Sequence, residues 1–198
     1  MTIEQIETRP SVIDRPQIER AMRDIIGSLP VDPDEEGLRD TPGRVADMYA
    51  ELFAGLAEDP VQVLATGFEE GYDEMVVARD IPFYSMCEHH FLPFFGVAHI
   101  GYTPRGRIVG ISKLARAVEI LARRPQVQER LTAQIADAVV DGTSPSGVGV
   151  VIEAEHLCMA MRGIQKPGTR IVTSVNRGCF RDDPRTRAEF LGFIGHAR

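Results

Sequence analysis

The chain has 198 residues, 43% of them hydrophobic, with 22 basic against 29 acidic side chains and a net charge of −7. That length suits one core of ordinary size, and the acidic balance argues against a nucleic-acid or acidic-membrane binder. No run of about 18 apolar residues is available to cross a bilayer, and the polar, acidic start MTIEQIETRPSVIDRPQIER lacks the order of a secretion signal, so the expected location is the cytoplasm.

Residues 1 to 15 show no periodicity and are expected to form a loose arm. Ile18, Met22, Ile25, Ile26 and Leu29 recur at helical spacing and stop before the turn-rich VDPDEEG, which predicts a first helix. In Asp40-Thr41-Pro42 the threonine is suited to cap a second helix and the proline to take its first position, with Val45, Met48, Tyr49, Leu52 and Phe53 along it. Met75 to Met86, rich in Val, Ile, Phe and Tyr, and the alternating stretch Phe94 to Tyr102 predict two strands with CEHHFLP between them. Two helical patterns follow. One runs through Leu114, Ala117, Val118 and Leu121; the other is opened by Pro125, carries Val127, Leu131, Ile135 and Ala138, and stops at Asp141-Gly142. Gly147 to Cys158 and Arg170 to Phe180 predict two more strands, and Asp183-Pro184 starts a last helix.

The order ββααββ, then α, implies an α+β domain: an antiparallel sheet with helices on one side, preceded by N-terminal helices. The expected division is an arm with helices over residues 1 to 74 and a sheet-bearing catalytic domain over 75 to 198. One helical layer covers one face of a sheet, so the other face and the open edges predict pairing with further copies of the chain.

Three cysteines spread over more than ninety positions do not make a disulfide framework, and they suit a reducing compartment. Cys87-Glu88-His89-His90 places a thiol and two imidazoles at a strand end, and His156-Leu157-Cys158 places another imidazole and thiol two apart, on one face if that strand stays regular. Zinc favours thiolate and imidazole, and three protein ligands leave a position for water, the mark of a catalytic site. Spacing leaves the histidine open: in a strand Cys87 pairs with His89, in a helical turn with His90. Cys179, His99 and His196 stand apart from such partners and read as structural.

Charge is also uneven along the chain. Residues 1 to 80 hold 19 acids and 7 bases, and residues 81 to 198 hold 10 acids and 15 bases, so the second part is suited to an anion. Ser112 stands at a predicted helix start with Lys113 and Arg116 three apart; helix starts attract phosphate through free amides and the dipole. Alone, that pattern is an ordinary solvated basic face. Gln128 and Glu129 open the next helix, where a carboxylate can accept two hydrogen bonds from the amidine-like edge of guanine.

In order along the chain, DTPGRVADMY (40 to 49), SMCEHHFLPFFGVAHIGY (85 to 102), VGISKLARAVEILARRPQVQERL (109 to 131), GVGVVIEAEHLCMAMRG (147 to 163) and FRDDPRTRAEF (180 to 190) resemble the GTP cyclohydrolase I family. By position, the resemblance implies Cys87, His90 and Cys158 as zinc ligands, His89 and His156 as proton-transfer groups, and Ser112 in the ribose steps. It implies Gln128 and Glu129 at the guanine edge and Lys113, Arg116 and Arg162 on the triphosphate. Arg44 matches a phosphate contact of some members, while Asp47 stands where some carry a second base. The implied reaction takes GTP to 7,8-dihydroneopterin triphosphate and formate, the first step of folate and pterin biosynthesis. The implied architecture is the tunnelling fold, whose sheets close into barrels across subunits, commonly as a homodecamer with sites at subunit interfaces. Two other readings stand beside it: a related tunnelling-fold enzyme acting on another pterin or a deazapurine, and a non-catalytic nucleotide-binding protein whose zinc site is closed by His89 or His156 as fourth ligand.

Overall fold

The computed structural model describes residues 13–195. The arm expected over residues 1 to 15 lies, through residue 12, outside them, as does His196. In chain order the elements are α1 (Arg15–Gly27), α2 (Thr41–Leu52), α3 (Pro60–Leu64), β1 (Gly67–Tyr72), β2 (Val76–Cys87), β3 (Pro93–Thr103), β4 (Gly106–Val109), α4 (Ile111–Ala122), β5 (Pro125–Gln126), α5 (Gln128–Thr143), β6 (Gly147–His156), α6 (Leu157–Ala160), β7 (Arg170–Gly178), α7 (Cys179–Asp182) and α8 (Pro184–Gly195). Among the described residues no helix is long and apolar enough to cross a membrane.

The first helix starts where a capping residue is followed by proline: the Asp14 carboxylate accepts from the Gln17 amide at 3.0 Å, and Pro16 needs no partner in the first turn. Thr41 does not cap α2 as expected. Its hydroxyl donates back to the Gly37 carbonyl at 3.4 Å, and Thr41 becomes the first helical residue behind Asp40. The two helices pack together and share the ion pair Arg15–Asp47.

The main sheet has the order β5–β2–β3–β6–β7, antiparallel except where the two-residue β5 runs parallel to β2. The expected ββααββ order is present, with α4 and α5 packed on one face. That face supplies the core: Phe94, Ala98, Ile100 and Tyr102 of β3 and Val148, Val150, Ile152 and Ala154 of β6 meet Leu114 and Val118 of α4 and Leu131 and Ile135 of α5. Each of the valine, leucine, isoleucine and phenylalanine side chains among them contributes roughly 1.5–3 kcal/mol by burial. Leu64 of α3 belongs to the same core, and β1 forms a separate two-stranded ribbon with β4. The ribbon was not predicted because GFEEGY exposes nearly all its side chains, so no alternation of burial marks it.

Four boundaries differ from the sequence reading. Pro125 opens β5 rather than a helix, because Pro125 and Gln126 pair with Met86 and Cys87, and the Gln126 carbonyl accepts from the Glu88 amide at 3.0 Å. The helix therefore begins at Gln128, and it passes Asp141-Gly142 to end at Ser144 with φ of 48°. Strand β6 stops at His156, so Cys158 sits in the helical turn α6. Strand β7 stops at Gly178, φ 55°, so Cys179 and Phe180 begin α7.

The C-terminal helices cover one end of the outer sheet face. Gly101 and Gly149 are cross-strand partners there, and a Cβ on either would lie 2.7 Å from Phe190 or 2.5 Å from Phe180. Missing side chains on the two strands thus seat an edge-on pair of phenyl rings with centroids 5.5 Å apart. Elsewhere the outer face carries Tyr84, 69% exposed and stacked on Phe95, and Val172, 60% exposed.

Candidate metal centre and active site

Strand β2 delivers Cys87, buried, to the head of the sheet. The chain then makes one helical turn before β3: the Phe91 amide donates to the Cys87 carbonyl at 2.8 Å, and the Cys87 amide donates to the Leu92 carbonyl at 2.9 Å. In such a turn residues three apart share a face, which brings His90 round to the thiol. Phe91, φ 51°, anchors the turn edge-on against Tyr49 of α2 and Phe53 just past its end. Glu88 ties it to α5 through an ion pair with Arg130.

Cys158 arrives from the other side. Strand β6 pairs with β3 up to His156 opposite Phe94, next to the end of the turn that carries Cys87 and His90, and α6 then swings Cys158 across. Ligand atoms of Cys87, His90 and Cys158 all lie within 4.8 Å of one another. Burial pushes the Cys158 thiol up from its ordinary value, and the neighbouring Cys87 thiol adds to this, while Arg162 pulls the other way. Two thiols crowded this way favour a bound cation, which stabilises thiolates. His89 is exposed, with Nδ1 3.8 Å from Cys87 Sγ. Arg162 donates to His90 Nε2 at 2.7 Å, so its cation stands at the rim.

His156 does not share a face with Cys158, because the strand ends between them. Its ring lies flat on Phe94, centroids 4.6 Å apart and planes 1° apart, and its Nε2 is 2.7 Å from Gln128 Oε1. Burial lowers its pKa, opposed by the charge of Glu129, so the ring is held toward its neutral form. Glu129 is exposed on the first turn of α5. Gln128 beside it is 2% exposed, and its amide hydrogen-bonds to the protein at both ends.

The remaining expected residues lie apart. Ser112 and Arg116 of α4 line a groove of about 540 Å³ with Glu51 of α2 and Tyr84 of β2, and no member of the Cys87–His90–Cys158 cluster lines it. Arg116 is paired with Glu58 at 3.2 Å and Glu119 at 3.1 Å. Lys113 is half-buried beside Ser112 on the first turn of α4. Arg44, exposed on α2, pairs only loosely with Asp40 at 3.4 Å, and Asp47 is held by Arg15.

The GTP cyclohydrolase I family model matches residues 18–195. The chain belongs to the GTP cyclohydrolase I family. It is 59% identical over 187 residues to the GTP cyclohydrolase 1 of Dehalococcoides mccartyi, covering 93% of this chain and 99% of that one. The GTP cyclohydrolase 1 of Geobacillus kaustophilus is 59% identical over 179 residues, covering 90% and 95%, and that of Thermobifida fusca is 57% identical over 187 residues, covering 93% and 90%. Among solved structures, that of an archaeosine synthase QueF-Like in the apo form matches with a TM-score of 0.43 at 18% identity, covering 52% of this chain and 93% of that one.

In this family member the donor set of two thiols and an imidazole fits a borderline-soft transition ion, and the three groups converge closely enough to hold one. Sequence reasoning missed what supports them. Phe91, Glu88, Arg130, Thr132 and Thr173 position the site through packing and hydrogen bonds between elements far apart in the chain. Only Glu88, inside the CEHH motif, carried a local hint.

Proposed function

We propose that this chain is a zinc-dependent GTP cyclohydrolase I that converts GTP to 7,8-dihydroneopterin triphosphate and formate. The observation that carries the reading is the convergence of Cys87, His90 and Cys158 within 4.8 Å, with His156 at the adjoining strand end. Zinc held by these three residues supplies, when bound, a water activated near neutral pH for attack on carbon 8 of the purine.

The other steps fall to side chains. Glu129 accepts hydrogen bonds from the guanine edge, with Gln128 behind it. His156, kept toward its neutral form by burial, and the exposed His89 move protons as the imidazole ring opens and formate leaves, one of them helping to protonate purine nitrogen 7. Ser112 serves the ribose rearrangement that precedes reclosure. Lys113, Arg116 and Arg162 hold the triphosphate, Arg44 being a further contact, since arginine forks and a lysine point charge suit that anion.

The separation of the Ser112–Arg116 groove from the cysteine cluster supports a site assembled between subunits, the groove of one copy facing the cluster of another. The exposed Tyr84 and Val172 on the outer sheet face support closure of sheets across copies into a homodecamer. We assign the 75–198 segment as the catalytic domain and the cytoplasm as its location. Zinc-loaded protein incubated with GTP should release formate and a product that fluoresces as a pterin after oxidation. Intact GTP would overturn the assignment, and a monomer by light scattering would overturn the shared site.

A further inference from the structure

We propose that Gln128 is a positioning residue: a directional ring of hydrogen bonds fixes its amide so that His156 is held with its proton on Nε2 and its lone pair on Nδ1. The consequence for catalysis rests on the reading of His156 as a proton-transfer group; the tautomer itself does not.

The argument begins with acceptors that have no choice. Gln128 Nε2 lies 3.2 Å from the Ile152 carbonyl and 2.9 Å from the Ile171 carbonyl. Backbone carbonyls only accept, so the amide end facing them is the NH2 group, and the flipped amide would set oxygen against oxygen in a buried place. The oxygen end therefore faces His156 Nε2 at 2.7 Å. An amide oxygen also only accepts, so the imidazole donates. A neutral imidazole has one N–H, which leaves Nδ1 as the base; among the described residues none hydrogen-bonds Nδ1.

Two hydroxyls, that of Thr132 fully buried and that of Thr173 half-buried, lock this orientation. Thr132 Oγ1 is 2.7 Å from the Gln128 carbonyl and must donate its single proton there. The 2.7 Å contact between Thr132 Oγ1 and Thr173 Oγ1 is then donated by Thr173. Thr173 Oγ1 is left to accept from Gln128 Nε2 at 3.1 Å. The run of donors thus goes from the Gln128 side chain to Thr173, to Thr132 and back to the Gln128 backbone. It joins α5 to β7 with Thr132 fully buried, so at that hydroxyl water offers no competing partner. Phe94, flat against the imidazole, keeps the ring in the plane this hydrogen bond requires.

The tautomer is read by solid-state NMR of sedimented, metal-loaded protein labelled with nitrogen-15 histidine, at mildly alkaline pH, with His156→Gln identifying the signal by subtraction. The expected result is a protonated Nε2 and an unprotonated Nδ1; a protonated Nδ1 overturns the proposal whether or not the protein turns over GTP. In Gln128→Met the tautomer signal should shift toward Nδ1–H or a mixture, and kcat should fall at least about tenfold with KM for GTP nearly unchanged and metal content retained. A raised KM with kcat retained would mean that Gln128 touches guanine directly, and would overturn the positioning role. If Gln128→Met fails to fold, Thr173→Val, which opens the ring without touching His156, carries the same expectation in milder form.

Discussion

Phe91 lies edge-on to Phe53, the residue that caps the end of α2, ring centroids 5.7 Å apart, and so rests the Cys87–His90 turn on a helix nearly forty residues earlier in the chain. The contact holds a left-handed residue, φ 51°, directly after His90. Phe91→Ala keeps the unfavourable backbone conformation and loses the anchor, whereas Phe91→Gly loses the anchor and relieves the backbone. Both should lower metal affinity roughly tenfold by loosening His90, as supporting contacts around ligands do, and Phe91→Gly should be the more stable of the two. Competition with a chromogenic chelator and thermal melts measure this; unchanged affinity in both variants would show that the turn holds itself.

Cys158→Ala should lose both metal and turnover, and His156→Ala should keep the metal while turnover drops by about a hundredfold or more. Chelation of the wild type should also lower its melting temperature, since an ion bound only by the folded chain stabilises it. Elemental analysis beside a formate assay separates the two variants. Equal metal content in Cys158→Ala and wild type would remove Cys158 from the ligand set.

Lys113→Ala should weaken GTP binding through loss of a point charge, with the difference from wild type shrinking as salt is added. Titration calorimetry at low and high ionic strength tests this. A salt-independent difference would point to a folding defect instead.

His99 links stability to pH. Its Nδ1 accepts from the Asp80 amide at 3.1 Å, and burial holds its pKa below the ordinary value near 6.5. The Asp80 and Glu153 carboxylates pull it upward, and Arg79 pushes with burial. Between the lowered folded value and the unfolded one, the unfolded chain binds more protons. The contribution is therefore complete above the unfolded value of about 6.5 and is lost as pH falls through the folded value. Urea midpoints should fall between neutrality and about pH 5, the range in which histidine changes charge, and the fall should be smaller in His99→Gln. An identical slope in the variant would assign the acid sensitivity elsewhere.

Gly149→Ala should destabilise the chain by about 1–3 kcal/mol, the usual cost of overpacking, because the new methyl meets Phe180 at 2.5 Å. Adding Phe180→Leu should recover part of the loss in urea melts. Additive losses would mean that the ring is not what the methyl meets.

Periodicity and cluster spacing were enough to determine the element order, the helical layer on one sheet face and the two Cys/His clusters, because alternation of burial and ligand chemistry are written into neighbouring residues. A hydrogen bond that closes one helical turn after Cys87 brings His90 together with Cys87 and Cys158, and Cys158 parted from His156 because β6 ended between them. Neither break leaves a mark in spacing. The two-residue β5 and the ribbon of β1 with β4 exist through partners distant in sequence. Gln128 is the sharpest case: next to Glu129 in the sequence it reads as part of a binding edge, yet its role depends on carbonyls of β6 and β7 and a hydroxyl of β7 that only the packing of α5 brings against it. A buried polar group takes its meaning from whichever partners the fold supplies, and those partners are a property of the packed chain.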